Sequence, residues 1–313
     1  MQTVTLARHA MATRFELVLH GNDPVALRAA GEAALDEVTR AESQLSLYRP
    51  GSEIAQVNAR AAREAVHISP ELFALLEQAQ RLHAETQGAF DITVAPLVRC
   101  WGFMDNRGKM PSPEALADAR TKVGMTLVRL DGCRRTVRLE RDGMMLDLGA
   151  IGKGYAIERG AELLREAGVH SALFHGGTST ICAIGHPPKA ETWSVAIEKP
   201  PAALGDVSFP DLPVAHLRDE TLSISAVWGR HFQAGDKNFG HVIDPRTGQP
   251  VEQAWLSAVV LPHATETDAL STALLTLGSD GLARLSESRS ALKALLVTRA
   301  GCLEANSAWR HSA

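Results

Sequence analysis

Residues 124–174 read GMTLVRLDGCRRTVRLERDGMMLDLGAIGKGYAIERGAELLREAGVHSALF, and the fold class turns on this stretch. Its first half holds three short β-type runs, LVRL (127–130), TVRLE (136–140) and MMLDL (144–148). Asp131-Gly132 and Asp142-Gly143 separate them, and Asp-Gly pairs favour tight hairpin turns. A helical pattern then runs from about Gly154 to Ala167 and leads into the apolar strand SALF (171–174). Working outward, SVAIE (194–198), LSIS (222–225), HVID (241–244) and SAVVL (257–261) carry strands through the second half, while 186–220, rich in Pro and polar residues, reads as the most loop-like part. Towards the N-terminus, alternation predicts a strand over 15–20, closed by Gly21-Asn22-Asp23. Asp23 as N-cap and Pro24 at the first position predict a helix with Leu27, Ala30, Ala34 and Val38 on one face. Ser69-Pro70-Glu71 starts another, through Leu72, Leu75, Leu76, Ala79 and Leu82 to a stop at Gly88. Helices and strands intersperse without a regular βαβ repeat, which predicts an α+β fold rather than a doubly wound sheet.

The 313 residues, 45% hydrophobic and 22% charged, are enough for one large domain or two small ones. A net charge of -4 and the lack of a dense Lys/Arg stripe argue against nucleic-acid binding. Cys100, Cys133, Cys182 and Cys302 are widely spaced with no CxxC pair, and are read as buried, reduced thiols. No apolar run is long enough to span a bilayer. The start, MQTVTLARHAMATRF, shows neither an export signal nor an early cysteine for a lipid, so a cytoplasmic location is expected.

Four segments carry candidate chemistry. In Thr267-Asp268-Ala269-Leu270-Ser271-Thr272, a helix would set Asp268 and Thr272 on one face, where a carboxylate and a hydroxyl can share a hard cation such as magnesium. The same pattern also suits a helix start, with Thr267 as cap and Asp268 favouring the dipole. In Asp147-Leu148-Gly149-Ala150-Ile151-Gly152-Lys153-Gly154, a glycine-rich turn opens a helix, offering N–H groups and the Lys153 charge to a phosphate; the spacing is neither a P-loop nor GxGxxG, and a purely structural connection fits too. His241-Val242-Ile243-Asp244-Pro245-Arg246-Thr247-Gly248 is a short strand entering a turn, with Asp244 capping the turn and His241 either structural or catalytic. Gly88-Ala89-Phe90-Asp91, followed by Trp101-Gly102-Phe103, sets an aromatic beside an acid that could hold a planar ligand, though Phe90 suits a core equally.

Occurring in this order, GAFD with WGF, DLGAIGKGYA, HVIDPRTG and TDALSTAL resemble the FAD:protein FMN transferases, the ApbE family. The similarity runs from Met11-Ala12-Thr13, through Ser46-Leu47-Tyr48-Arg49-Pro50, Ser52-Glu53 and Asn58, to Gly278. It implies a single α+β, T-fold-like domain over 1–313 with mixed or antiparallel sheets and packed helices. It further implies FAD as substrate, Mg2+ on the pyrophosphate, and transfer of FMN to a Ser or Thr hydroxyl of a partner flavoprotein with release of AMP. Carried over by residue, Met11, Tyr48, Ala89, Phe90, Asp91, Asp147, Lys153 and Ile243 would line the FAD site. The Ala150 carbonyl, Asp268 and Thr272 would hold the metal, and His241 would assist deprotonation of the acceptor. Family acceptors resemble Asp-x-x-Ser/Thr-Gly-Ala-Ser/Thr; this chain has no such segment, so modification in trans is expected.

Two departures stand out. Many relatives carry an export signal with a lipid-bearing cysteine, absent here, and many read Gly-Gly-Asp where this chain has Gly176-Gly177-Thr178, so that acid's role is lost or passes to a hydroxyl. Two rival readings fit the same residues. One is a magnesium-dependent FAD pyrophosphatase giving free FMN and AMP; the other is a flavin carrier that leaves FAD intact.

Overall fold

Alternating apolar and polar residues make Gln2–Ala10 (β1) and Thr13–Gly21 (β2) an antiparallel hairpin with one buried face, formed by Val4, Leu6, Phe15, Leu17 and Leu19. The computed structural model describes residues 1–105, 107–200, 209–235 and 237–310. The first half continues with Pro24–Leu45 (α1), Glu53–Arg60 (α2), Val66–His67 (β3), Pro70–Glu85 (α3), Ala95–Cys100 (α4), Pro113–Arg120 (α5), Val128–Asp131 (β4) and Thr136–Leu139 (β5). Gly152–Glu166 (α6), Ala172–Gly176 (β6), Thr180–Ile184 (β7), Trp193–Ala196 (β8), Val214–Leu217 (β9), Thr221–Ala226 (β10), His231–Ala234 (β11) and Lys237–Gly240 (β12) follow. Ala254–Leu261 (β13), Ala264–Leu277 (α7), Ser279–Ser288 (α8), Lys293–Thr298 (β14), Leu303–Ala305 (β15) and Ser307–Arg310 (α9) complete the chain.

The main sheet has eight strands in the order β1-β2-β6-β7-β10-β13-β14-β15, and every neighbouring pair is antiparallel. The expected α+β class holds, with antiparallel pairing. Strand β13 is buried at every position, which is why its sequence runs apolar instead of alternating. Helices α1, α6 and α7 pack side by side against the sheet. Asp23 caps α1 through the N–H groups of Val25 and Ala26, and Ser69 caps α3 through Leu72, as the sequence indicates.

Several expectations need correction. MMLDL (144–148) joins no sheet: the Asn58 side-chain amide bonds both the N–H (2.7 Å) and the C=O (2.9 Å) of Leu146, and the Asp147 N–H donates to Ile92 O (2.7 Å). A side chain thus satisfies the backbone that a neighbouring strand would have paired. Asp131-Gly132 does not make a tight two-residue turn either. The β4–β5 pairing begins at Asp131↔Thr136, and Asp131 Oδ1 accepts the Arg134 N–H across the wider loop. HVID (241–244) is a single bridge, Ile243↔Pro250, since Pro245 stops any ladder from propagating. The loop-like 186–220 contains β8 and β9, with 201–208 outside the described residues; SVAIE is a strand only to Ala196. The four cysteines are free, but Cys182 alone is buried, with Cys133 and Cys302 exposed. No helix among the described residues is long and apolar enough to cross a membrane.

Candidate active site

The glycine-rich turn belongs to a helix start. Asp147 Oδ1 accepts the Gly149 N–H (2.8 Å), and Leu148 O accepts from Ile151 (3.1 Å) and Gly152 (2.7 Å), which starts α6 two residues earlier than its periodicity predicts. No side chain caps α6 locally. Instead the Gly154 N–H donates to Asp268 Oδ2 (2.9 Å) from α7, so a first-turn donor is satisfied from across the helix interface. Gly154 serves that interface: a Cβ there would stand 2.2 Å from Ala264 O and 2.7 Å from Asp268 Cβ. One turn on, Glu158 accepts the Thr265 N–H (2.8 Å) and meets His263 Nδ1 (3.0 Å), capping α7 where it lacks a side-chain cap of its own.

Helix α7 begins at Ala264, three residues before Thr267, so Thr267 is not the cap; its hydroxyl donates back to His263 O (2.6 Å). Asp268 therefore lies in the second turn, and the first-turn acid is Glu266. The Asp268 carboxylate is 4% exposed and carries few partners: the Gly154 N–H, a long contact from Thr180 Oγ1 (3.4 Å) and Lys153 Nζ at 4.0 Å. Each oxygen thus has a partner, and the residue also lines the cleft. Thr272, one turn on, has its hydroxyl 3.1 Å from Ser225 Oγ. Among the described residues no group of three or more His, Cys, Asp or Glu could cage a metal. Asp268 brings a carboxylate and Thr272 a hydroxyl to the cleft that Ala150 also lines, and oxygen donors of this kind suit a hard cation such as Mg2+.

On the opposite wall, Phe90 is 1% exposed and packs with the core, yet it and Ala89 also line the cleft. Asp91 is buried, with Oδ1 accepting from the Thr93 N–H (2.7 Å) and Thr93 Oγ1 (2.5 Å), and His83 Nδ1 lies 3.2 Å from Oδ2. Burial alone would lower the His83 pKa; the hydrogen bond and charge of Asp91, with the Phe90 carbonyl, outweigh it and raise it. Asp147 keeps contact with the cleft but lies deep among protein atoms, and desolvation raises its pKa despite the Gly149 N–H, Arg230 and Lys153.

His241 stands at the foot of the β11–β12 hairpin. Its N–H donates to Arg230 O (3.0 Å), and its ring Nδ1 lies 3.2 Å from the same oxygen. Nδ1 also lies 3.4 Å from the Arg230 N–H, which it accepts in one tautomer; in the other, which donates to Arg230 O at the shorter distance, Nε2 keeps its lone pair. Burial, then the Arg230 charge, lowers its pKa to about 4, so the ring is neutral at pH 7. The hairpin is held by Phe232 and Phe239 against Trp101 and Phe103, with centroids 5.4–5.5 Å apart for Trp101–Phe239 and Phe103–Phe232, and Ile243 joins this cluster. Trp101 Nε1 donates to Gly248 O (2.8 Å) in the turn that Asp244 closes through the Arg246 N–H (2.9 Å).

All twelve residues singled out by sequence line one cleft of about 1040 Å³: Met11, Tyr48, Ala89, Phe90, Asp91, Asp147, Ala150, Lys153, His241, Ile243, Asp268 and Thr272. That volume is at the upper end for small-molecule sites. Sequence reasoning missed Arg230, a cation on the cleft wall, and Thr180 and Ser225, whose hydroxyls reach Asp268 and Thr272. Isolated Ser, Thr and Arg in strands or at loop starts carry no spacing signal. Thr178 lines the cleft, but the hydroxyl that contacts the acid is that of Thr180.

An antiparallel α+β fold whose cleft joins a helix N-terminus and a lysine to a buried acid, with apolar residues elsewhere in its lining, has the make-up of a site for a large, partly anionic ligand. The chain matches the ApbE family over residues 11–296 and belongs to that family. It is 30% identical over 272 residues to an FAD:protein FMN transferase of Haemophilus influenzae, covering 85% of this chain and 77% of the relative. It is 33% identical over 264 residues to one of Treponema pallidum, covering 79% and 72%. Among solved structures, the ApbE protein of Thermotoga maritima superposes with a TM-score of 0.88 at 25% identity over 99% of both chains. The apo flavinyl transferase ApbE of Pseudomonas stutzeri gives 0.85 at 26% identity, over 99% of this chain and 96% of the other.

Proposed function

We propose that this protein transfers the FMN part of FAD to a Ser or Thr hydroxyl of a partner flavoprotein and releases AMP. The observation that carries this reading is the nearly buried Asp268 carboxylate, set against Lys153 and the first turn of α6 in a family member's cleft. Ala150, Asp268 and Thr272 would hold Mg2+. When bound, the ion supplies neutralisation of pyrophosphate charge. Lys153 contributes a fixed positive charge for the same oxygens, placed before any substrate arrives. Met11, Tyr48, Ala89, Phe90, Asp91, Asp147 and Ile243 line the space for the rest of FAD and orient it.

His241 is neutral in the free protein and accepts the acceptor hydroxyl's proton as that oxygen bonds to the FMN phosphorus. The bond from that phosphorus to the bridging oxygen breaks, and AMP leaves with it. Because the cleft draws its walls from Met11 to Thr272, the whole chain, 1–313, works as one domain in this reading. The acceptor is a separate protein with a segment like Asp-x-x-Ser/Thr-Gly-Ala-Ser/Thr. The test is to incubate the protein with FAD, Mg2+ and such an acceptor, then record intact mass and released nucleotide. An FMN adduct with AMP is expected. Free FMN and AMP without an adduct would put water in the acceptor's place, and intact FAD would leave only a carrier.

A further inference from the structure

The β1–β2 hairpin turns through Met11 (φ 49°) and Ala12 (φ 57°), two consecutive left-handed residues that are not glycine. Turns of this type favour Asn-Gly because side chains cost free energy there, and strain kept at a cleft wall needs something to hold it. Both residues line the cleft. The holder is Glu42 in the last turn of α1: its Oε1 accepts the Met11 N–H at 2.7 Å, and its Oε2 accepts from Arg49 Nη2 at 2.5 Å. Arg49 follows Tyr48 in the loop after α1, and Tyr48, Arg49 and Glu42 also line the cleft. One carboxylate, its side chain 19% exposed, thus joins two chain segments 31 and 7 residues away in sequence. Tyr48 itself is 64% exposed and has little packing of its own to fix it.

We propose that Glu42 is a positioning residue that clamps the Met11–Ala12 turn and the Tyr48–Arg49 segment into the shape that receives FAD. The idea rests on the flavin-site reading above. Without the clamp the strained turn relaxes to other conformers, and apparent affinity falls by the fraction of molecules that remain competent. Once FAD is bound the competent shape is restored, so turnover at saturation changes little. This split between binding and turnover separates a positioning role from a merely structural one.

The test uses the full chain with Glu42→Met, which keeps size and helix propensity but has no acceptor, and Glu42→Gln, whose amide oxygen can still accept the Met11 N–H. FAD binding is followed by flavin fluorescence and transfer by steady-state kinetics. E42M is expected to bind FAD about tenfold more weakly, the order expected for losing a charge-assisted hydrogen bond, with kcat within about twofold. E42Q keeps the acceptor for Met11 but turns an amide NH2 towards Arg49, so its binding should fall between the parent and E42M. Unchanged binding by E42M overturns the clamp. Should E42M not fold, Glu42→Ala takes its place with the same expectations. Hydrogen exchange of the Met11 amide, read without flavin, keeps the two readings apart. Faster exchange in E42M supports the clamp even if the parent protein binds no FAD, which would sink the flavin reading alone; unchanged exchange sinks the clamp.

Discussion

Asp268 and His241 line the same cleft, but they are held there by different means. Asp268 rides on α7, which meets α6 so closely at Gly154 that no Cβ fits between them, and Glu158 ties the two helices a turn further on. His241 stands at the foot of a two-stranded hairpin whose anchors are aromatic rings and one backbone carbonyl, Arg230 O. The helical corner fixes a charge, and the hairpin corner tunes one. A site that must neutralise a pyrophosphate needs the first to be rigid before substrate arrives, because electrostatic stabilisation is worth most where no reorganisation is required.

The largest expected effect breaks the helical corner directly. Asp268→Asn keeps the shape and an acceptor for the Gly154 N–H but removes the charge. Transfer to acceptor should fall by roughly 10³-fold, on the scale of about 3 to 4 kcal/mol for one such stabiliser, while thermal stability holds or rises as a buried charge disappears. A variant with near-parental rates would show that the acid is structural.

His241→Gln tests the other corner and should cost about 10²-fold, the contribution of a positioned general base. In the parent, the acid limb of kcat/KM should fall near pH 4 rather than near 6.5, since the His241 pKa is lowered to about 4. The unfolded chain's imidazole takes up its proton first, so the contribution of His241 is fully present above pH 6.5 and is lost as pH falls towards 4. An acid limb near 6.5 would remove His241 from the base role.

Gly154→Ala asks whether the helical corner is as tight as its geometry. The added carbon would lie 2.2 Å from the Ala264 carbonyl oxygen, a backbone atom that cannot swing aside, so α7 must move and carry Asp268 with it. Destabilisation of about 1–3 kcal/mol is expected from overpacking, together with about tenfold slower transfer from the displaced carboxylate. Gly152→Ala, where the nearest neighbours would be 3.9 Å away, is the matched control for packing and should leave stability unchanged.

These contrasts also explain what the sequence could tell. Asp268 and Thr272 share a face because four residues make about one helical turn, and that periodicity survives in any tertiary setting. The helical starts at Asp23-Pro24 and Ser69-Pro70 were equally legible, being local chemistry. The strand status of 144–148 was not, because its backbone is satisfied by Asn58, 88 residues away from Leu146. The turn over 147–154 is legible as a helix start, but not the reason for glycine at 154, because the neighbour that needs the room is α7, more than a hundred residues on. Arg230 and Thr180 gave no signal at all, since a single cation or hydroxyl acquires meaning only from what the fold places beside it.

Arg230→Gln gives the smallest expected effect and the sharpest reading of the hairpin corner. Its guanidinium charge is the second cause of the low His241 pKa, behind burial, while its backbone carbonyl orients the ring. Substitution removes the charge and keeps the carbonyl, so the ring should stay oriented and only its proton affinity should change. The acid limb of kcat/KM is expected to move upward from about 4 yet stop short of 6.5, because desolvation persists. The plateau rate near neutral pH should change by no more than a few-fold, as His241 is unprotonated there in both proteins. A limb that does not move would mean that burial alone sets the His241 pKa. A collapse of the plateau would instead place the Arg230 side chain on the substrate, making the hairpin corner a charge-bearing wall like the helical one.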